Sequence, residues 1–122
     1  MDYTEPQGSL VHYAAHDLIV TQSVYKIGIP YLAIKLGSHE NRVKSSPVYR
    51  SMKNLPPMLV IASEHESCYD MDVLLVNNAR AQGVKVDFAV FKYLCHVFPM
   101  LKAIIPEGSE AMDAMIEWIN DH

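Results

Sequence analysis

The chain has 122 residues, half of them apolar and a fifth charged, with a net charge of −4. That is enough for one domain with one core, and the charge is too mild to draw nucleic acid or an anionic membrane. No basic cluster exceeds two residues, no apolar run approaches the length of a bilayer span, and the opening does not read as a secretory leader.

The first half is irregular. The stretch 16–33 predicts a helix from about Thr21, with Asp17 as an earlier cap and Pro30 limiting its course. Residues 36–57 are polar and rich in turn formers, and read as a long connection. "PPMLVIAS" (56–63) is then a short continuous apolar run after two prolines, as in a strand buried on both faces. Residues 69–83 predict a helix, with Asp70 or Ser67 capping its start, Met71, Leu74 and Leu75 on one face, and Gly83 stopping it. "VKVDFAVF" (84–91) alternates cleanly and suits a strand near a sheet edge. Residues 107–122 end the chain as a helix, with Ser109 as N-cap and Met112, Met115, Ile116 and Ile119 as an apolar stripe. Strand, helix, strand, loop, helix implies a right-handed βαβ unit in a parallel sheet. Two strands make a poor sheet, and a doubly buried strand wants a neighbour on each side. The expectation is therefore a part of something larger.

In open α/β sheets, sites lie beyond the carboxyl ends of the strands. "SEHES" (63–67) leaves the first strand and "KYLCHVF" (92–98) leaves the second. Adjacent parallel strands would bring these loops together, so that Glu66 bonds the ring of His96, orienting it and stabilising it when charged. Cys95 is next to His96 in sequence, but neighbours on a loop rarely face each other, so an inert thiol is the simpler reading. Cys68 and Cys95 have no C-x-x-C spacing, which points to a reduced, cytoplasmic protein without a disulfide. His12, His16, His39 and His65 lack carboxylate or cysteine partners at a metal-binding spacing and read as surface residues. Tyr13, Tyr25 and Tyr31 either line a pocket or simply pack.

Residues 45–98 resemble the C-terminal part of an α/β-hydrolase of the hormone-sensitive-lipase-like esterase family. The resemblance is carried by an ordered set: Ser46-Pro47, Leu55-Pro56-Pro57, Ala81-Gln82-Gly83-Val84 and His96-Val97-Phe98. The opening "MDYTEPQGSL" is similar to the family's segment just after its preceding strand, at the start of a cap region. The resemblance implies a cap or connecting region over 1–44 and the acid-and-histidine part over 45–122. It places His96 at the catalytic histidine and Glu66 at the acid, where the family usually has aspartate; Asp70 is a substitute acid. A glycine common shortly before the histidine is Tyr93 here.

The resemblance implies a carboxylic-ester hydrolase with a small ester substrate and no cofactor or metal. In this fold the order is Ser, acid, His, with the serine in G-x-S-x-G. Gly8, Gly28, Gly37, Gly83 and Gly108 include no two that are four apart, and no His-Gly-Gly segment is present. The expectation is a fragment inactive by itself, with a sheet edge prone to self-association. The alternative is a non-catalytic module that binds a small ligand or a protein.

Overall fold

The structure, a computed structural model, describes Thr4 and residues 8–122. The rest of the opening decapeptide and the side chain of Tyr25 lie outside the described residues. The described elements are α1 (Ser9–His12), α2 (Ile29–Leu36), α3 (His39–Ser45), β1 (Met58–Ser63), α4 (Tyr69–Ala81), β2 (Val86–Phe91) and α5 (Pro106–Asp121).

The second half is the parallel βαβ unit that the sequence predicts. β1 and β2 pair in parallel, Met58 opposite Val86 through Ser63 opposite Phe91. A bond from Glu64 N–H to Phe91 C=O (2.9 Å) carries the ladder one step past the strands. Both strands therefore end at the same level, and the loops that follow them leave the sheet side by side. α4 packs on this pair through Val76 and Ala79, which join Met52, Val84 and Val86 in the main core cluster. Leu74 points outward, contrary to expectation, and Leu75 only flanks the core. The buried stripe is centred on Val76 and Ala79, three apart on one helical face. Gly83 ends the helix as predicted. At φ 84 it allows a Schellman closure, with its own N–H bonded to Arg80 C=O and the Val84 N–H to Ala79 C=O, both at 3.0 Å.

The caps differ from expectation. Neither Ser67 nor Asp70 caps α4 through its own side chain. A remote residue does it: the Asp70 N–H donates to Ser9 Oγ (3.0 Å), while Ser9 N–H donates to Asp70 Oδ2 (2.8 Å). This is a capping exchange across two segments rather than within one. Ser109 does not start α5 either, because the helix begins at Pro106, whose fixed φ and missing N–H suit a first turn. Gly108 lies inside that turn because a Cβ there would stand 2.8 Å from the backbone nitrogen of Lys102.

In the first half, a π turn (Val24–Gly28) leads directly into α2. Pro30 does not stop the helix; it falls where the π turn gives way to α2, and the helical backbone runs on through it, with Gly28 and Ile29 already in right-handed helical geometry. The polar connection also holds more structure than the sequence predicts. Ser38 caps α3 by accepting the Asn41 N–H (3.3 Å). A 3₁₀ turn, Pro47–Tyr49, follows and buries Val48.

Candidate active site

The two predicted loops meet. Glu66 is almost fully buried and His96 is partly exposed, and the Glu66 Oε2 pairs with the His96 Nδ1. The other carboxylate oxygen accepts the Ser63 N–H at 2.8 Å. Glu66 is thereby anchored to the end of β1 by one oxygen and presents the second to the ring. Ser63, the last residue of β1, is fully buried. Its hydroxyl oxygen accepts N–H groups from both loops, Leu94 at 3.0 Å and His65 at 3.4 Å. Asp70, the substitute acid, is engaged with Ser9 and makes no bond to the histidine.

His96 is held well above its ordinary 6.5, pushed up to about 10. The leading causes are hydrogen bonds to Cys68 and Glu66, which outweigh the opposing effect of burial. Cys68 is buried in a second cluster with Leu10, Val20 and Ile29. Asp72, in the first turn of α4, is pushed up to about 6 by burial and then by the charge of Glu66, with His96 opposing. Cys95 is a free, half-buried thiol. Burial and the nearby Asp17 carboxylate push it upward, away from the thiolate a nucleophile needs.

Asp17 is the residue that sequence reasoning placed wrongly. Its carboxylate does not cap a helix. It accepts the N–H groups of Ile19 (2.9 Å) and Val20 (3.0 Å) in its own turn, then those of Ser67 and His96 from the two site loops. Burial pushes its carboxyl upward, and these four donors more than offset that, holding it below the ordinary carboxylate range. No local pattern in sequence could have found contacts that span most of the chain.

The backbone around the histidine is unusual. Tyr93 has φ 57 and Val97 has φ 52, both left-handed. The Tyr93 conformation is one that glycine takes without steric cost and a tyrosine does not. The Tyr93 ring packs against His65 in a tilted arrangement with centroids 4.2 Å apart, and Tyr13 packs against His65 at 5.4 Å, also tilted. Among the described residues no group of three metal-ligating side chains is brought together. His12 ends α1, so His16 does not share a helix face with it.

Beside the Glu66–His96 pair opens a cavity of about 650 Å³. Its walls come from β1 (Met58, Ile61), from Phe98, and from α5 (Met112, Met115, Trp118). Such an apolar space with two convergent polar groups at one end has the character of a small-molecule site. The α5 stripe divides here. Met112, Met115 and Ile119 border the cavity and Ile116 does not, while Ile116 and Ile119 are both largely exposed.

An acid and a histidine delivered by the carboxyl ends of adjacent parallel strands are the signature of the α/β-hydrolase architecture. The chain belongs to this family: the sequence model of the alpha/beta hydrolase fold matches residues 2–100. An esterase of Acinetobacter venetianus is 28% identical over 119 residues, which are 97% of this chain and 39% of that protein. A double mutant of an esterase superposes with a TM-score of 0.82 at 27% identity, covering 98% of this chain and 40% of that one. A hormone-sensitive lipase from a metagenome library superposes with a TM-score of 0.81 at 24% identity, covering 97% of this chain and 39% of that one. The chain thus spans about two-fifths of the length of these relatives. Among the described residues no helix is long and apolar enough to cross a membrane.

Proposed function

We propose that this chain carries the acid–base part of a serine-type carboxylic-ester hydrolase, with His96 as proton carrier and Glu66 as its orienting acid. The observation that carries the reading is the Glu66–His96 pair, aimed at one end of an apolar cavity from two neighbouring strand ends. In the working site His96 takes the proton of a serine hydroxyl as that oxygen attacks the ester carbonyl. It then gives the proton to the leaving alcohol. Water attacks the acyl-enzyme by the same route, and the carboxylic acid leaves. Glu66 fixes the ring tautomer and stabilises the imidazolium at both stages. Residues 1–44 serve as cap and connection, and 45–122 hold the acid and the histidine. The nucleophile and oxyanion donors belong to the part of the family fold that this sequence does not contain, so the chain by itself turns over no ester.

The test joins this chain to the N-terminal portion of the Acinetobacter esterase that it does not match. The expected result is p-nitrophenyl ester hydrolysis by the chimera, none by the 122-residue chain, and a loss of roughly 10⁴-fold or more in kcat on His96→Ala. Hydrolysis that survives His96→Ala sinks the assignment.

A further inference from the structure

Asp17 belongs to the first half of the chain, yet it holds both site loops. Its side chain is buried, with the whole residue 5% exposed. Ser67 N–H donates to its Oδ2 at 3.0 Å, and His96 N–H donates to both oxygens at 3.3 Å. Ser67 directly follows Glu66. One carboxylate thus bonds the backbone of the histidine and the backbone next to the acid. A turn-forming side chain needs neither of these contacts, and burying a carboxylate without a cation is costly unless several donors meet it.

The histidine loop has a use for such a clamp. Tyr93 and Val97 sit in the left-handed region on either side of His96. For a β-branched valine this is a strained conformation that persists only where the surroundings enforce it. Ser63 Oγ holds the loop on the Tyr93 side by accepting the Leu94 N–H at 3.0 Å. Asp17 holds it on the Val97 side through His96 itself.

We propose that Asp17 is a positioning residue for the acid–base pair, locking the backbones of His96 and Ser67 so that the ring and the Glu66 carboxylate meet. This rests on the Glu66–His96 reading above. Asp17 bonds the backbone of His96 and not its ring nitrogens. Its removal frees a strained loop, which then relaxes and carries the imidazole away from Glu66. The turn that bears Asp17 lies between α1 and the π turn, so the N-terminal segment sets the geometry of a site to which it contributes no reacting group.

The experiment is a pH titration by NMR of the isotope-labelled chain, comparing the parent with Asp17→Asn, Glu66→Gln and Asp17→Asn/Val97→Gly. The readouts are the midpoint of the His96 ring and the downfield proton on its Nδ1. Asp17→Asn is expected to lose the downfield signal and to lower the His96 midpoint by about one pH unit or more. Adding Val97→Gly, which removes the strain, is expected to restore part of both. An Asp17 that merely supports the fold would lower Tm and leave the ring midpoint in place; that outcome overturns the proposal. Glu66→Gln reports on the pair independently. If it leaves the His96 midpoint unmoved, the acid–base reading fails, whatever Asp17 does. If Asp17→Asn does not fold, the parent protein decides the matter. The amide protons of Ile19, Val20, Ser67 and His96 must then shift together on acidification, with one midpoint below the ordinary carboxylate range. A His96 amide that does not follow the other three overturns the clamp.

Discussion

The two halves of the chain are held by different forces. Residues 58–121 form a sheet-and-helix unit whose core closes by apolar packing, with Val76 and Ala79 sealed against Val84 and Val86, and Met52 of the first half completes the same cluster. Both halves leave apolar surface open: Leu18, Ile27 and Ile34 are 75%, 69% and 79% exposed in the first, and Met100, Ile104 and Ile119 are 80%, 78% and 68% exposed in the second. A small cluster of Leu10, Val20 and Ile29 with Cys68 anchors the first half. Most of the directional attachment is polar. Ser9 exchanges bonds with Asp70, its hydroxyl donates to Ser67 C=O at 3.0 Å, and the Ser67 hydroxyl donates to Val20 C=O at 3.0 Å. Asp17 adds its bonds to Ser67 and His96. Apolar packing stabilises the second half without fixing a partner at any one atom. Polar bonds fix the first half atom by atom, which is what a site assembled from distant segments requires.

The comparison is broken most severely by Phe98→Ala. Phe98 is 1% exposed and packs on Phe91 with ring centroids 4.9 Å apart. Its loss is expected to cost about 3–5 kcal/mol, read from urea unfolding. A cost under about 1 kcal/mol would mean that the second half is not held by packing. Ser9→Ala tests the polar attachment, since it strands the Asp70 N–H and the Ser67 carbonyl. The expected cost is about 1–3 kcal/mol by the same measurement.

Asp72→Asn is expected to stabilise the chain at neutral pH. A carboxyl raised from 3.8 to about 6 favours the protonated form in the folded state, so its ionisation weakens the fold as pH climbs through that window. The variant's Tm should exceed the parent's at pH 7.5 and converge with it near pH 3.5 or below. An equal gain at both pH values would rule out the charge as its origin. Ile34→Ser, on the open face of α2, is expected to change stability by no more than about 0.5 kcal/mol. A larger loss would show that this face is covered in solution.

How much was legible follows the same division. β1 is visible in sequence as a short continuous apolar run, β2 as a period-2 pattern, and α4 and α5 as period-3.6 patterns, each of which reports burial against neighbours. The parallel pairing then put Glu66 beside His96. The caps were misread because Ser109 and Asp70 have the right side chains, while Pro106 and Ser9 hold the positions that matter. Pro30 is expected to limit the helix, but it falls where the hydrogen bonding changes from the π turn to α2, so the helical path continues across it. The roles of Asp17, Ser63 and Cys68 could not be read, because each depends on contacts that only the folded chain creates. A serine at the end of a strand gives no local sign that it will serve two loops.

The acid and the histidine lie 30 residues apart on one βαβ unit, whereas the Asp17 contact to His96 spans 79 residues. Loop-closure entropy grows with that separation, and transition states tend to form short-range contacts first. In refolding, the shorter loop favours closing the Glu66–His96 pair ahead of the Asp17 contact. During synthesis the order of appearance is reversed, because Asp17 leaves the ribosome long before the loops that it will bind. Until those amides arrive its carboxylate has only the Ile19 and Val20 N–H groups of its own turn, so docking of the two loops removes a charge from water.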